Sequence, residues 1–526
     1  LRVVHLFGNE DVNVVRTTVG PEQEYFLIDK EMYDSRRDLR YTGRTLFGSK
    51  PPKGQEMDDH YFGTIKPRVA AFMRELDEEL WKLGIYAKTE HNEAAPAQHE
   101  LAPVYSTTNI ATDHNQLTME LMKMIAARHG MVCILHEKPF EGVNGSGKHN
   151  NWSLSTDNGI NLFEPGETPH ENAQFLLFLC AVIKAVDDYQ DLLRVSIASA
   201  GNDHRLGANE APPAIVSIFL GEELTEILEA IENDRSYDVK ETVTMKVGVH
   251  TLPRFPKDST DRNRTSPFAF TGNKFEFRMP GSSDSVSEPN IVLNTAVAEV
   301  LRQFADILEG AEDFNEALHA LIQKTIREHK RIIFNGNGYN DAWIKEAEAR
   351  GLLNLPTTPD ALPRLLLDKN VALFEQHRVF TQKELCARFE IYNEIYCKTL
   401  NIEALTMVKM ARQDILPAVL TYLKDVSETL AAKKAAMPTL SSRVEEELIT
   451  KLSAGADKLY EAIEALDEDI ARTANYTEAS MKAFYFKETV IPAMDAVRSV
   501  ADEMEELTAK KYWPYPSCGD LLFSIV

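Results

Sequence analysis

The chain has few cysteines, an excess of acidic over basic residues and no long apolar run, and each shortage excludes a class of protein. Five cysteines in 526 residues, none in a CxxC pair, are too few for a disulfide scaffold. A net charge of −24 disfavours a nucleic-acid or anionic-membrane surface. The apolar run at residues 175–183 ends at Lys184, too short to span a bilayer, and no signal-peptide pattern precedes it. We expect a soluble, cytoplasmic protein whose partners are small molecules or other subunits.

Two parts of the chain differ in character. Up to about residue 400, strand-like and helical segments are mixed, which predicts an α+β domain over residues 1–400. One of its predicted helices covers residues 113–129 and is indicated by Leu117, Leu121 and Met124. Residues 401–510 predict three long amphipathic helices in an antiparallel array, kinked at Pro417, and residues 511–526 form a C-terminal tail.

The segment TVGPEQEYFLID, residues 18–29, combines a strand-like pattern with two acids. In an extended strand Glu22, Glu24 and Phe26 share one face, while Tyr25 and its alternate neighbours share the other. Two adjacent carboxylates repel each other unless water or a cation separates them. The segment alone fits either a solvated strand face or part of a metal site.

Two further segments could supply ligands to such a site. In TEHNEAAPAQHELAP, residues 89–103, Glu93 and Glu100 bracket an Ala/Pro-rich connection, so that two extended segments could bring both carboxylates to one point. In NGSGKHNNWSLST, residues 144–156, the glycines permit close approach of the backbone to a ligand, and His149 offers an imidazole. Taken singly, each segment is more often structural than functional.

The strongest concentration of positive charge lies between residues 254 and 278, where six basic residues stand against three acidic ones. This segment predicts either an anion site or a surface ion-pair network. Strand alternation places Lys274, Glu276 and Arg278 on one face. Upstream, Arg205 and Glu210 occupy a loop-like stretch in which the acid could accept a proton from a bound nucleophile or simply form an ion pair.

In this order, the motifs resemble the glutamine synthetase family, whose pattern contains a GPExE strand, HxE…E, NGSGxH, R…EAP, NR and ExR. The matching residues are Gly20 to Glu24, His91 with Glu93 and Glu100, Asn144 to His149, Arg205 with Glu210-Ala211-Pro212, Asn263-Arg264, and Glu276 with Arg278. The helical extension resembles that of the type III branch. The resemblance implies a catalytic domain with a curved antiparallel sheet backed by helices. The family's N-terminal β-grasp domain has no counterpart that we identify in this sequence.

The resemblance also implies a reaction and a set of roles. The reaction is ATP-dependent ligation of ammonia to the side-chain carboxylate of L-glutamate, through γ-glutamyl phosphate, giving L-glutamine, ADP and phosphate. One Mg²⁺ or Mn²⁺ ion would be held by Glu24, Glu93 and Glu100, and another by Glu22, His149 and Glu276. The remaining roles would be catalytic for Glu210 and Arg264, glutamate-binding for Asn144, Gly145, Arg205 and Arg278, and ATP-binding for Asn151, Ser153, Arg264 and Lys274.

The family assembles as stacked rings, so the resemblance implies a homo-oligomer, a dodecamer in the type III branch. Two alternatives remain open at this point. One is a γ-glutamyl ligase that uses another amine, such as a polyamine. The other is a catalytically silent, structural member of the family, which the presence of all six candidate metal ligands disfavours.

Overall fold

The computed structural model describes residues 1–235, 237 and 265–525, and these residues form two sheets backed by helices. The strands are β1 Val15–Pro21, β2 Gln23–Asp29, β3 Ala87–Asn92, β4 Gln98–Pro103, β5 Ser106–Thr107, β6 Met131–Ile134, β7 Asn150–Thr156, β8 Ile218–Phe219, β9 Phe268–Phe270 and β10 Phe275–Phe277.

The helices of the α+β part alternate with these strands and continue beyond them. They are α1 Arg2–Leu6, α2 Lys30–Asp34, α3 Arg37–Thr42, α4 Pro67–Lys82, α5 Thr108–Arg128, α6 Ala173–Asp188, α7 Gln190–Val195, α8 Ala200–Arg205, α9 Glu222–Glu232, α10 Ser287–Glu309, α11 Phe314–His329, α12 Asp341–Ala349, α13 Thr358–Ala361 and α14 Asp368–Gln376. The C-terminal helices are α15 Gln382–Met410, α16 Leu416–Ala436, α17 Arg443–Arg472, α18 Ala479–Tyr485, α19 Ile491–Leu507 and α20 Cys518–Leu522.

The strand order is β5-β1-β7-β10-β9-β8 in the larger sheet and β3-β4-β2-β6 in the smaller. The paired strands are antiparallel except β8 and β9, which are parallel. The segment predicted as one strand is interrupted at Glu22, where the chain leaves the larger sheet and enters the smaller. Beyond this break the predicted alternation is confirmed, because Tyr25 and Leu27 pack with α4 and α5 while Phe26 and Ile28 pack into a separate core.

The core of the larger sheet contains Trp152, Phe275 and Phe277, together with the apolar residues of α6 and α10. Helix α6 includes the apolar run noted in the sequence, and its residues 175–183 are all buried within the protein. No helix in the described ranges is both long enough and apolar enough to cross a membrane.

The three predicted C-terminal helices are confirmed as a bundle, in which α17 packs against both α16 and α19. Residues 411–415 and 486–490 form π-helical turns, each ending two residues before a proline, Pro417 or Pro492. A proline lacks the N–H that continues a helix and its ring crowds the preceding turn, so a widened turn accommodates it. Where the kink is predicted, the chain therefore has a π-helical turn just before Pro417.

Several contacts tie the C-terminal part to the α+β part, among them an ion pair of α15 and the packing of α20. Helix α15 begins at Gln382 and runs through residue 400, and its Glu403 lies 2.6 Å from Arg44 in a buried ion pair. Helix α20 places Leu521 and Leu522 in the same core as Phe26 and Ile28. The end of the predicted C-terminal tail is therefore folded against the smaller sheet, while Trp513 and Tyr515 pack against the helical bundle.

Candidate active site

The candidate site lies where the two sheets meet. The N–H of Glu22 donates to the carbonyl of His149 over 3.0 Å, and the N–H of Glu24 donates to the carbonyl of Gly147 over 3.1 Å. These bonds lay the glycine-rich segment alongside the break between β1 and β2. The candidate acids of this break therefore face the histidine.

Glu22, His149 and Glu276 form one compact group. The Nδ1 atom of His149 lies 3.1 Å from Glu22 Oε2 and 3.1 Å from Glu276 Oε1. Burial disfavours a charged imidazole, but hydrogen bonding to the two carboxylates outweighs it and raises the pKa of His149 well above its usual value. Burial also opposes ionisation of Glu276, yet His149 and the Arg278 guanidinium, 3.0 Å away, lower the pKa of Glu276.

A second group lies on the β3–β4 hairpin, in which His91 is paired with Glu100. His91 Nε2 lies 3.1 Å from Glu93 Oε1 and 3.8 Å from Glu100 Oε1. Glu24 is the cross-strand neighbour of Glu100 on β2, and its Oε2 accepts the N–H of Gly147 over 2.5 Å. Because its Oε1 lies 3.9 Å from His149 Nε2, Glu24 stands between the two groups.

The electrostatics of the second group fit a divalent cation. Burial, reinforced by the charges of Glu22 and Glu93, raises the pKa of Glu100 well above its usual value, and burial likewise raises that of Glu24. The Oε2 atom of Glu100 is buried and has no hydrogen-bond partner among the described residues. Buried carboxylates that repel one another and keep a spare oxygen form a donor set suited to Mg²⁺ or Mn²⁺, and an imidazole is compatible with Mn²⁺.

The candidate glutamate-binding residues lie within or against the glycine-rich segment. Arg205 is only 2% exposed, and its guanidinium donates to the carbonyls of Arg278 and Met279, each over 3.1 Å. A Cβ atom added at Gly147 would lie 2.1 Å from Arg205 Nη2, and one added at Gly145 would lie 2.3 Å from a backbone carbonyl oxygen. Both glycines are therefore required by close approach of the backbone to its neighbours.

The candidate ATP-binding residues lie along β7 and β10 of the larger sheet. Asn151 is paired with Glu276 and donates its Nδ2–H to Glu22 Oε1 over 3.0 Å, so it adjoins the first acidic group. Ser153, two residues further along β7, donates to Asn161 over 2.9 Å. Lys274 immediately precedes β10 and is partly exposed. Arg264, with Asn263 and the rest of the basic segment before it, lies outside the described residues.

Glu210 is on the loop after α8, where Asn209 and Glu210 adopt φ angles of +53° and +66°. Residues other than glycine rarely adopt positive φ angles, and those that do are often found at functional sites. The Nδ2–H of Asn144 donates to Glu210 Oε2 over 2.7 Å. The structure thus brings together a candidate glutamate-binding residue and the candidate proton acceptor.

The sequence motifs included His91, but no ligand role was predicted for it. Its spacing from Glu93, two residues along an extended segment, could have indicated that both side chains face the same point. Among the described residues, Asp187, Asp188 and His329 form another acidic group. Arg331 lies 2.9 Å from Asp187 and Lys184 lies 2.7 Å from Asp188, so cations of the protein already balance that group.

Comparison with known families matches residues 2–215 to the glutamine synthetase catalytic domain and residues 317–434 to the glutamine synthetase C-terminal domain. A glutamine synthetase of Butyrivibrio fibrisolvens is 50% identical over 532 residues, covering 100% of this chain and 75% of the relative. The chain belongs to the glutamine synthetase family. The type-3 glutamine synthetase of Dictyostelium discoideum is 46% identical, over 98% of this chain and 71% of the relative. A glutamine synthetase of Bacteroides fragilis is 44% identical, over 98% and 72%.

Membership of the glutamine synthetase family defines the activity. The enzyme ligates ammonia to the side chain of glutamate at the expense of ATP, as the resemblance of the motifs implies. The family uses glutamate, ammonium and ATP as substrates and divalent metal ions as cofactors. Neither a ligase for another amine nor a silent structural protein is favoured by relatives of this name and identity.

Proposed function

We propose that this glutamine synthetase binds two divalent cations, Mg²⁺ or Mn²⁺, at the junction of its two sheets. Glu22, His149 and Glu276 hold one ion, while Glu24, Glu93 and Glu100 hold the other. The observation that carries the proposal is the convergence of five carboxylates on two imidazoles at this junction. His91 lies within reach of the second ion.

In the first half of the reaction, a side-chain oxygen of glutamate bonds to the γ-phosphorus of ATP while the bond to ADP breaks, which gives γ-glutamyl phosphate. Bound divalent ions offset negative charge on the phosphates. Arg264 is assigned to the transferring phosphoryl group and Arg278 to glutamate, because guanidinium groups match phosphate and carboxylate geometry. Asn144, Gly145 and Arg205 complete the glutamate site, while Asn151, Ser153 and Lys274 contact ATP.

In the second half, ammonia bonds to the carbonyl carbon and phosphate leaves. Ammonium must first lose a proton to become a nucleophile, and Glu210 is the assigned acceptor. Its position on an exposed loop, bonded to the buried Asn144, supports this role because it places a carboxylate at the entrance of the glutamate site.

The test is phosphate release by the intact protein with Mg²⁺ and ATP, with and without glutamate and ammonium, together with thermal unfolding in Mg²⁺ and in EDTA. We expect release to need both substrates, and each bound Mg²⁺, at about 100 times its Kd, to stabilise the protein by about 2.7 kcal/mol. Glu276→Gln should lose turnover and the stabilisation contributed by one of the two ions, whereas Glu328→Gln, on the solvent side of α11, should keep turnover and the full stabilisation. Full stabilisation in Glu276→Gln would contradict the ligand assignment.

We further propose a cytoplasmic homo-oligomer of stacked rings, a dodecamer, with a catalytic domain at residues 1–400, a helical extension at 401–510 and a tail at 511–526. Apolar side chains that remain exposed on α15 support an oligomer, with Ile395 54%, Ile402 48% and Leu405 47% exposed. Light scattering should give twelve times the chain mass. A particle of one chain would contradict the assembly.

A further inference from the structure

Residues 49–66, between α3 and α4, form a loop that lies against the candidate active site. His60 Nδ1–H donates to the carbonyl of Glu93 over 2.7 Å, and Asn92 Nδ2–H donates to the carbonyl of His60 over 3.1 Å. The ring of Tyr61 contacts that of His91, with centroids 5.9 Å apart. No motif of the glutamine synthetase resemblance includes this loop, yet it touches the strand that carries the second acidic group.

Gln55 of this loop makes two hydrogen bonds to one residue. Its Oε1 accepts the backbone N–H of Asn144 over 2.7 Å, and its Nε2–H donates to Asn144 Oδ1 over 2.7 Å. Asn144 is 2% exposed, and its remaining amide group, Nδ2, donates to Glu210 Oε2 over 2.7 Å. The three bonds form a chain from the loop to the proposed proton acceptor.

The two ends of this chain fix the orientation of both amides. A backbone N–H can only donate, so Gln55 must present its oxygen there and its nitrogen to Asn144 Oδ1. An ionised carboxylate can only accept, so Asn144 must present its nitrogen to Glu210. Reversing either amide would set two acceptors or two donors against each other. One arrangement therefore satisfies all three bonds, and in it Gln55 and Glu210 hold the Asn144 amide in the same orientation.

We infer that Gln55 is a positioning residue, which holds the Asn144 amide with its nitrogen toward Glu210 and thereby keeps that carboxylate in place for ammonium. The inference rests on the proposed role of Glu210. If so, the rate of the ammonium-dependent step should depend on the Nε2–H donor of Gln55 rather than on how many hydrogen bonds Gln55 makes.

Two substitutions separate orientation from mere support of the loop. Gln55→Glu keeps shape and one hydrogen bond, from Asn144 N–H, but sets a second acceptor against Asn144 Oδ1. Asn144 Oδ1 would then face a carboxylate in either orientation, so no single arrangement would hold the amide nitrogen toward Glu210. Gln55→Met removes both bonds but creates no repulsion. If Gln55 only supports the loop, Gln55→Glu should be milder than Gln55→Met. If Gln55 positions the Asn144 amide, Gln55→Glu should be the more severe of the two.

The experiment measures kcat/KM for ammonium and KM for ATP in the intact enzyme with Mg²⁺. We expect Gln55→Glu to lose roughly 10- to 100-fold in kcat/KM for ammonium, equivalent to one hydrogen bond to a charged group, with KM for ATP within about twofold of wild type. Gln55→Met should lose less. Equal losses, a milder effect of Gln55→Glu, or no effect of either would overturn the inference.

Glu210→Gln distinguishes failure of this inference from failure of the proposed function. If Glu210→Gln keeps the wild-type kcat/KM for ammonium, the assigned role of Glu210 is wrong and the inference falls with it. If Glu210→Gln is impaired while both Gln55 variants match wild type, only the inference is wrong. Retention of the Mg²⁺-dependent rise in Tm by the Gln55 variants would show that their cation site is intact.

Discussion

Replacing Glu403 with leucine should destabilise the protein by about 3 to 5 kcal/mol, because it would leave the charge of Arg44 buried without a partner. The two side chains are 11% and 1% exposed and lie 2.6 Å apart. Within the described part of the chain, Arg44 Nε and Glu403 Oε1 are buried without hydrogen-bond partners. An arginine cannot release its proton to avoid the cost of burial. Glu403→Leu should therefore be costly at every pH near neutrality.

Replacing the other partner, in Arg44→Met, should cause a loss of stability that depends on pH. Burial opposes ionisation of Glu403, and Arg44, with a smaller contribution from His204, lowers the pKa of Glu403 below its usual value. Without Arg44, the folded-state pKa should rise above the unfolded value of about 4.3. The resulting penalty is absent below that unfolded pKa and grows as pH rises toward the new folded-state pKa. Arg44→Met should thus be milder at pH 5 than at pH 8.

Thermal unfolding of both variants and of the double variant, at one protein concentration, completes the cycle. With an unfolding entropy of about 2.1 cal/mol/K per residue, a chain of 526 residues that unfolds as one unit would lose about 3 to 5 °C in Glu403→Leu. The double variant should recover most of this loss, since apolar residues often replace a buried ion pair without cost. A double variant as unstable as Glu403→Leu, or single variants equal to wild type, would refute the reasoning.

Two further predictions concern the glycine-rich segment and the smaller sheet. Gly147→Ala, whose Cβ would lie 2.1 Å from Arg205 Nη2, should raise KM for glutamate at least about tenfold in steady-state assays. Gly310→Ala, whose Cβ would meet nothing closer than 3.8 Å, should leave KM unchanged, and equal effects would contradict the steric explanation. Burial, reinforced by Asp77, raises the pKa of Glu90 to about 9, so ionisation of Glu90 should weaken the fold as pH rises from about 4.5 toward 9. Glu90→Gln should therefore raise Tm more at pH 8 than at pH 5, unlike the exposed Glu78→Gln, and a gain independent of pH would count against this account.

The periodicity of the sequence predicted where helices and strands lie better than it predicted which of their faces are buried. The alternation along β2 is confirmed because a strand has a period of two and both of its faces here are apolar. The helix predicted at 113–129 is present as Thr108–Arg128, but of the three apolar residues that indicated it only Leu121 packs against the core. Leu117 and Met124 are 47% and 51% exposed, whereas Met122 and Ile125 are buried. Both sides of this helix carry apolar residues, and only packing against α4 and the sheet selects one.

The candidate site, too, could be predicted from the sequence only in part. Motif order indicated which acids and which histidine lie together, because the family pattern places them on neighbouring strands. The break at Glu22 could not be predicted, since it depends on pairing with His149, far along the chain. Nor could the contact between Gln55 and Asn144, because residues 49–66 have no periodicity from which a fold could be inferred.

The return of α20 to the smaller sheet has a consequence for synthesis on the ribosome. The N–H of Asp29, at the end of β2, donates to Ser524 Oγ, 495 positions later, and Leu521 and Leu522 complete the core beneath Phe26 and Ile28. At roughly 5 to 20 residues per second, the ribosome needs about 25 to 100 s to add this stretch. During that time the strand that carries Glu24 has one apolar face uncovered by α20. Nascent chains of this enzyme should therefore need chaperones to cover this face until α20 emerges.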